Sequence, residues 1–334
     1  MVNYFLAFKL SDAGFDVWLG NFRGTIYSNE HKHFNVSNRE YWDFRFYYFF
    51  AQSREIVFCF SFFELSYYDL PAMLDLVVRE TRTKKRIIYV GYSLGTTTSY
   101  VYSLVRQREA RQRLAALISL APVAYMKHTH ISFNFLLLFI TLIYVSSSTA
   151  PSFIFTEDPF ALGISTREGQ TIFYRLCLYG PTRNLCRIVA LMVISLMSDL
   201  VAPEVLPLVL THAPAATSLN IFKQFMQEIL HDGKFQAFDY GHLNSKKYGS
   251  TKPPIYDVSQ ITIPTYLLYG KKDKIGNEQD VKELFDNLQT NKLIIPIAED
   301  DTVEFDHLDF LYSKNIEYLY APLFKLIHSL SNQQ

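Results

Sequence analysis

The feature that most constrains this 334-residue chain is a pentapeptide, Gly91-Tyr92-Ser93-Leu94-Gly95, wedged between an apolar run and a helical stretch. Ahead of it, Arg86-Ile-Ile-Tyr-Val90 suits a buried central strand; behind it, a helix is expected from about Thr96 to Arg111. A strand that turns straight into a helix crowds the backbone at the bend, so small glycines are needed on both flanks. The serine hydroxyl is then lifted above the sheet, where the helix N-terminus favours negative charge nearby.

The rest of the chain fits a parallel sheet with crossover helices, an α/β class. Asp16 to Leu19 reads as a strand ended by Gly20-Asn21, Pro71 to Glu80 as a helix with proline in its first turn, and Ala115 to Leu120 as a strand stopped by Ala121-Pro122. From Val123 to Ser250 the chain stays apolar but loses the alternation, which suggests a mostly helical cap inserted between core segments 1–122 and 251–334. Its longest apolar runs, Phe135 to Val145 and Ile188 to Met197, fall short of the roughly 20 residues a bilayer span needs. The rhythm resumes with a strand at Pro264 to Gly270, a helix over Asn277 to Leu288, a strand at Lys292 to Ile297 and an amphipathic helix from Ser313 to Leu330.

Composition narrows the partners. Lys plus Arg and Asp plus Glu both total 32, so neither net charge nor a basic stripe points to nucleic acid. Aromatic residues make up 16%, which fits either a greasy ligand or a large core. No His-x-x-x-His or Cys-x-x-Cys spacing suggests a metal, and no cofactor is expected. Of the three cysteines, Cys59 stands apart, while Cys177 and Cys186 flank Gly180-Pro181; the pair reads equally as a bridge across a turn or as two thiols. Asn35-Val36-Ser37 is a glycosylation sequon, meaningful only after export, whereas Met1-Val2-Asn3-Tyr4 has neither the basic start nor the cleavage site of a signal peptide.

A serine hydroxyl is a weak nucleophile until a base takes its proton, and that base needs an acid to orient it. After an elbow serine, the expected chain order is acid, then histidine. Asp273 follows a strand in Gly270-Lys-Lys-Asp273, and His307 sits in Phe305-Asp-His307-Leu-Asp-Phe310 beyond the last strand. Both lie at carboxyl ends of strands, where sites gather in open α/β sheets. Asp306 and Asp309 flank the histidine and compete with Asp273 for the acid's role.

These residues resemble the acid lipase family, gastric and lysosomal acid lipases among them, within the α/β-hydrolase superfamily. The likeness runs through Asp12-Ala-Gly-Phe-Asp-Val-Trp-Leu-Gly-Asn-Phe-Arg-Gly24, Tyr68-Asp-Leu-Pro-Ala-Met73, His212-Ala-Pro-Ala-Ala-Thr-Ser218, Phe235-Gln-Ala-Phe-Asp239 and His307-Leu-Asp-Phe310. It implies an α/β-hydrolase fold with a cap over an apolar acyl pocket, Ser93 as nucleophile, Asp273 as acid and His307 as base. It also implies two-step acyl transfer on triacylglycerols or cholesteryl esters at a lipid–water interface, secretion or lysosomal delivery, and a Cys177–Cys186 disulfide.

Three departures stand out. The elbow carries Tyr92 and Leu94 where the family commonly has histidine and glutamine, although Leu94 still offers its backbone N–H to an oxyanion. The family's N-terminal region, with the strand end that supplies a second oxyanion donor, has no counterpart, and losing one such donor typically lowers the rate about 100- to 1000-fold. Residues 46–60 look like an insertion whose Glu55-Ile-Val-Phe-Cys-Phe60 run either fills the vacant sheet position or reflects an error of gene assembly. The competing function is a catalytically impaired lipid-binding protein.

Overall fold

Period-two alternation along the central strands decides which helices cover which side of the sheet. The computed structural model describes residues 6–36, 41–42, 60–129, 161–162, 171, 175, 215–298, 303, 305–313 and 315–333. Its strands are β1 (Ile87–Tyr92), β2 (Leu114–Leu120), β3 (Ala161–Leu162), β4 (Thr217–Ser218), β5 (Thr265–Gly270) and β6 (Lys292–Ile297). The main sheet has the order β1-β2-β5-β6 with every neighbouring pair parallel, while β3 and β4 form a small antiparallel ladder.

The longer helices are α1 (Leu6–Asp12), α2 (Leu70–Thr81), α3 (Leu94–Val105), α4 (Gln107–Arg113), α5 (Leu219–Leu230), α6 (Glu278–Asn287) and α7 (Glu317–Ser331). Leu117 and Leu267 point to one face of the sheet and pack with Tyr100 and Tyr102 of α3 and Val281 and Leu284 of α6. Ala116, Ile118 and Leu268 point to the other, where Leu319, Leu323 and Ile327 of α7 meet Leu10 of α1. With both faces covered, β2 and β5 read as near-continuous apolar segments. Each fully buried leucine contributes about 1.5–3 kcal/mol relative to exposure. The result is the doubly covered parallel sheet of an α/β-hydrolase, and its strands end on the edge that carries the site.

Several elements differ from the sequence expectation. Asp16 to Leu19 forms no strand; Leu19 is 75% exposed and Trp18 43%. Alternation makes a strand only where a neighbour can take the backbone hydrogen bonds, and among the described residues no strand lies beside the outer edge of β1. The helix expected over 96–111 is two, broken at Arg106, whose backbone leaves helical geometry while its guanidinium reaches the Tyr67 carbonyl at 2.9 Å. The last helix begins at Glu317 rather than Ser313, because the Ser313 hydroxyl accepts from the Asn315 N–H at 3.0 Å and holds a local turn instead.

Two segments outside the sheet are pinned by side-chain amides and carboxylates. Gln224 of α5 accepts from the Phe62 N–H at 3.0 Å and donates to the Gln236 carbonyl at 2.9 Å. One turn later Gln227 donates to the Ala237 carbonyl and accepts from the Asp239 N–H, so the Phe235–Asp239 segment is stitched to the helix. Where the chain leaves β2, His128 binds the buried Asp280 of α6 through its main-chain N–H and through Nδ1 at 2.8 Å. Among the described residues no helix is long and apolar enough to cross a membrane. The runs Phe135–Val145 and Ile188–Met197, Cys59, Cys177, Cys186 and residues 46–59 of the insertion lie outside the described residues. Asn35 lies on an exposed stretch beside buried Val36.

Candidate active site

The bend after β1 is built from close backbone approaches. Ser93 has φ 50° and ψ −117°, a left-handed conformation that costs a residue with a Cβ on the order of 1–3 kcal/mol. That cost is offset by hydrogen bonds on both sides of its backbone. The Ser93 N–H donates to the Leu120 carbonyl at 3.1 Å, and its carbonyl accepts from the Thr96 N–H at 2.8 Å and the Thr96 hydroxyl at 2.6 Å. A Cβ on Gly91 would sit 2.9 Å from the Gly95 carbonyl carbon and 3.0 Å from its oxygen, which explains the first glycine. Tyr89 seals the bend by donating its hydroxyl to the Gly95 carbonyl at 3.0 Å. Leu94 opens α3, so its N–H has no intrahelical acceptor and belongs to the positive end of the helix dipole.

Asp273 lies in the turn after β5. Its Oδ1 accepts from the main-chain N–H groups of Ile275 and Gly276, both at 2.8 Å, which fixes the carboxylate and leaves Oδ2 for the histidine. Oδ2 is 2.8 Å from Nδ1 of His307, and Nε2 of His307 is 2.9 Å from the Ser93 hydroxyl. A carboxylate only accepts, so Nδ1 carries the proton and Nε2 presents its lone pair to the serine. Asp273 is 2% exposed and His307 3%, so the contact between them is shielded from water, while the Ser93 hydroxyl is half-buried and can be reached.

The rival carboxylates are occupied elsewhere. Asp309 accepts from the Asp306 N–H at 2.6 Å, and Asp306 accepts from the His307 N–H at 2.7 Å while pairing with Lys274 at 3.4 Å. Burial pushes the Asp306 carboxyl above the usual aspartate range. Lys274 also turns its N–H toward Asp306 at 3.3 Å, and the Lys272 N–H reaches the Phe305 carbonyl at 3.3 Å, so the loops bearing Asp273 and His307 are laced together. Gly270 permits this, since a Cβ there would lie 2.2 Å from the Phe305 oxygen.

Ser93, His307 and Asp273 meet here, and residues with no local sequence signal for the role steady them. Tyr92 donates its hydroxyl to the His307 carbonyl at 3.0 Å across 215 positions of sequence. Thr96 holds both the Ser93 carbonyl and, as acceptor, the Val123 N–H. An aromatic at the second elbow position was the visible signal, but nothing local indicates which distant carbonyl it reaches.

The model of the alpha/beta hydrolase fold family matches residues 2–149. A tear acid lipase-like protein of Mesocricetus auratus is 30% identical over 329 residues, an alignment covering 96% of this chain and 73% of that protein. The gastric triacylglycerol lipase of Homo sapiens is 31% identical over 313 residues, covering 93% of this chain and 70% of its own. The Bos taurus gastric triacylglycerol lipase is 29% identical over 319 residues, covering 92% and 70%.

Proposed function

The chain belongs to the acid lipase family of the alpha/beta hydrolases, and from that premise we propose that it hydrolyses lipid esters through an acyl-enzyme on Ser93. The observation that carries the reading is the run of contacts from the Ser93 hydroxyl through the His307 imidazole to Asp273, at 2.9 and 2.8 Å. In this mechanism Nε2 of His307 takes the hydroxyl proton as Oγ attacks the ester carbonyl carbon. The imidazolium that forms faces the Asp273 carboxylate, which stabilises it without leaving the bonds to Ile275 and Gly276. Negative charge developing on the carbonyl oxygen meets the Leu94 N–H at the start of α3, aided by the helix dipole.

Collapse of the tetrahedral intermediate passes the proton from His307 to the departing alcohol and leaves the acyl group on Ser93. Water then attacks with His307 as base, and the carboxylic acid leaves. Triacylglycerols are the first substrates to try, because the gastric relatives are named for them; cholesteryl esters are the second. The same proposal makes the protein secreted or lysosomal, working at a lipid–water interface.

The test is covalent. A fluorophosphonate should label the purified protein on Ser93, and Ser93→Ala should abolish labelling and lower ester turnover by roughly 10⁴-fold or more. Hydrolysis that continues undiminished in Ser93→Ala would rule out the mechanism.

A further inference from the structure

The second position of the elbow does something its neighbours do not. Tyr92 ends β1 and sends its side chain to the face packed by α7, where its ring centroid lies 5.2 Å from the His307 imidazole and 6.5 Å from Phe310. Its hydroxyl donates to the His307 main-chain carbonyl at 3.0 Å. The His307 N–H is meanwhile held by Asp306 at 2.7 Å. Both polar groups of the histidine's backbone are therefore taken by side chains, one of them from the elbow itself.

We propose that Tyr92 is a positioning residue for His307, tying the backbone that carries the imidazole to the same turn that carries Ser93. Adjacent residues thus grip the two ends of the histidine: the Ser93 hydroxyl meets Nε2, and the Tyr92 hydroxyl meets the carbonyl. His307 belongs to the segment between β6 and α7, and the described contacts that hold its backbone near β1 include the packing around Phe310 and the lacing to the Asp273 loop. A hydrogen bond rooted in the elbow couples the two directly, and the histidine loop cannot drift from the serine without breaking it.

The chemistry of the surroundings suits a permanent donor. Burial above all, then the negative charge of nearby Asp273, holds the Tyr92 hydroxyl in its protonated form. A histidine at this position would change charge within the working pH range of many hydrolases; tyrosine does not.

The inference rests on the Ser93 reading above, and the experiment separates the two. Tyr92→Phe removes one oxygen and keeps the ring packing. In the full-length protein, active sites are titrated with a fluorophosphonate and turnover of a soluble short-chain p-nitrophenyl ester is expressed per labelled site. The expected result is a kcat per site reduced about three- to tenfold with KM unchanged, the rate equivalent of one neutral hydrogen bond. A role in folding alone would lower the labelled fraction and leave kcat per site as in the wild type, which would overturn the proposal. A wild-type chain that takes no label would overturn the Ser93 reading and the positioning role with it.

Discussion

Arg23 and Asp69, 46 residues apart, are joined by both a main-chain and a side-chain grip: the Arg23 N–H meets Oδ2 at 3.1 Å and its Nε meets Oδ1 at 2.7 Å. The terminal Nη2 also pairs with Oδ1, and the guanidinium lies 5.7 Å from the centroid of the Phe60 ring. The pair joins the Asp12–Gly24 segment to the Tyr68–Met73 segment, two of the stretches that carry the family resemblance. Next to it, Gly24 has φ +93°, and a Cβ there would come within 2.6 Å of the buried Trp42 ring.

Breaking this pair should therefore destabilise the protein rather than its chemistry. The side chains are 14% and 8% exposed, so Asp69→Ala takes a shielded carboxylate acceptor away from a largely desolvated guanidinium. The expected loss is about 3 kcal/mol. Urea unfolding measures it, with activity per folded molecule retained. An unshifted midpoint would show the ion pair to be energetically idle.

Asp273→Asn should be far more damaging to rate than Asp306→Asn. The amide at 273 can still touch Nδ1 but favours the wrong tautomer, leaving Nε2 protonated toward Ser93, a change worth roughly 10⁴-fold in kcat where such a triad operates. Among the described residues the Asp306 carboxylate meets the histidine's backbone and Lys274, so its amide should cost no more than about tenfold. Steady-state kinetics on the two purified variants decide it. Equal effects, or the reverse order, would return the acid's role to the residue beside the histidine.

Glu228 of α5 makes a pH prediction. It is 0% exposed, and neither carboxyl oxygen is in hydrogen-bonding geometry with a partner among the described residues. Burial holds its carboxyl well above the ordinary value of 4.5, against a smaller opposing pull from the Gln236 main chain. The folded state thus binds this proton more tightly than the unfolded chain does. Its contribution to stability is fully present below about pH 4.5 and is lost progressively as pH rises toward the raised folded value. Glu228→Gln keeps the shape without the titration, so its melting temperature should exceed that of the wild type near neutral pH and converge with it in acid. Parallel melting curves from about pH 4 to pH 8 would refute the assignment.

What was legible in the sequence is what depends on neighbours along the chain. Apolar runs marked β1, β2, β5 and β6 to within a residue or two, and most plainly β2 and β5, because a strand covered on both faces needs such a run whatever surrounds it. Glycines at 91 and 95 announced the elbow; the close approach of the turn requires the first, whereas a Cβ on Gly95 would meet only the Tyr89 hydroxyl at 3.4 Å. Asn277 marked the start of α6 by capping it, its side chain accepting from the Gln279 N–H.

Tertiary structure decided matters that turn on distance through space. Three aspartates were eligible to face His307, and the choice fell to Asp273 because its loop folds back from β5 while Asp306 and Asp309 are consumed by nearby backbone N–H groups. Asp16–Leu19 has a strand's composition but no neighbour among the described residues to pair with, so it stays irregular. The Tyr92 hydroxyl could not be assigned a partner from sequence, since the carbonyl it meets belongs to a residue 215 positions away. Periodicity and turn chemistry are local and survive in a one-dimensional record; hydrogen-bond pairing between loops is settled only when the sheet brings its strand ends to one edge.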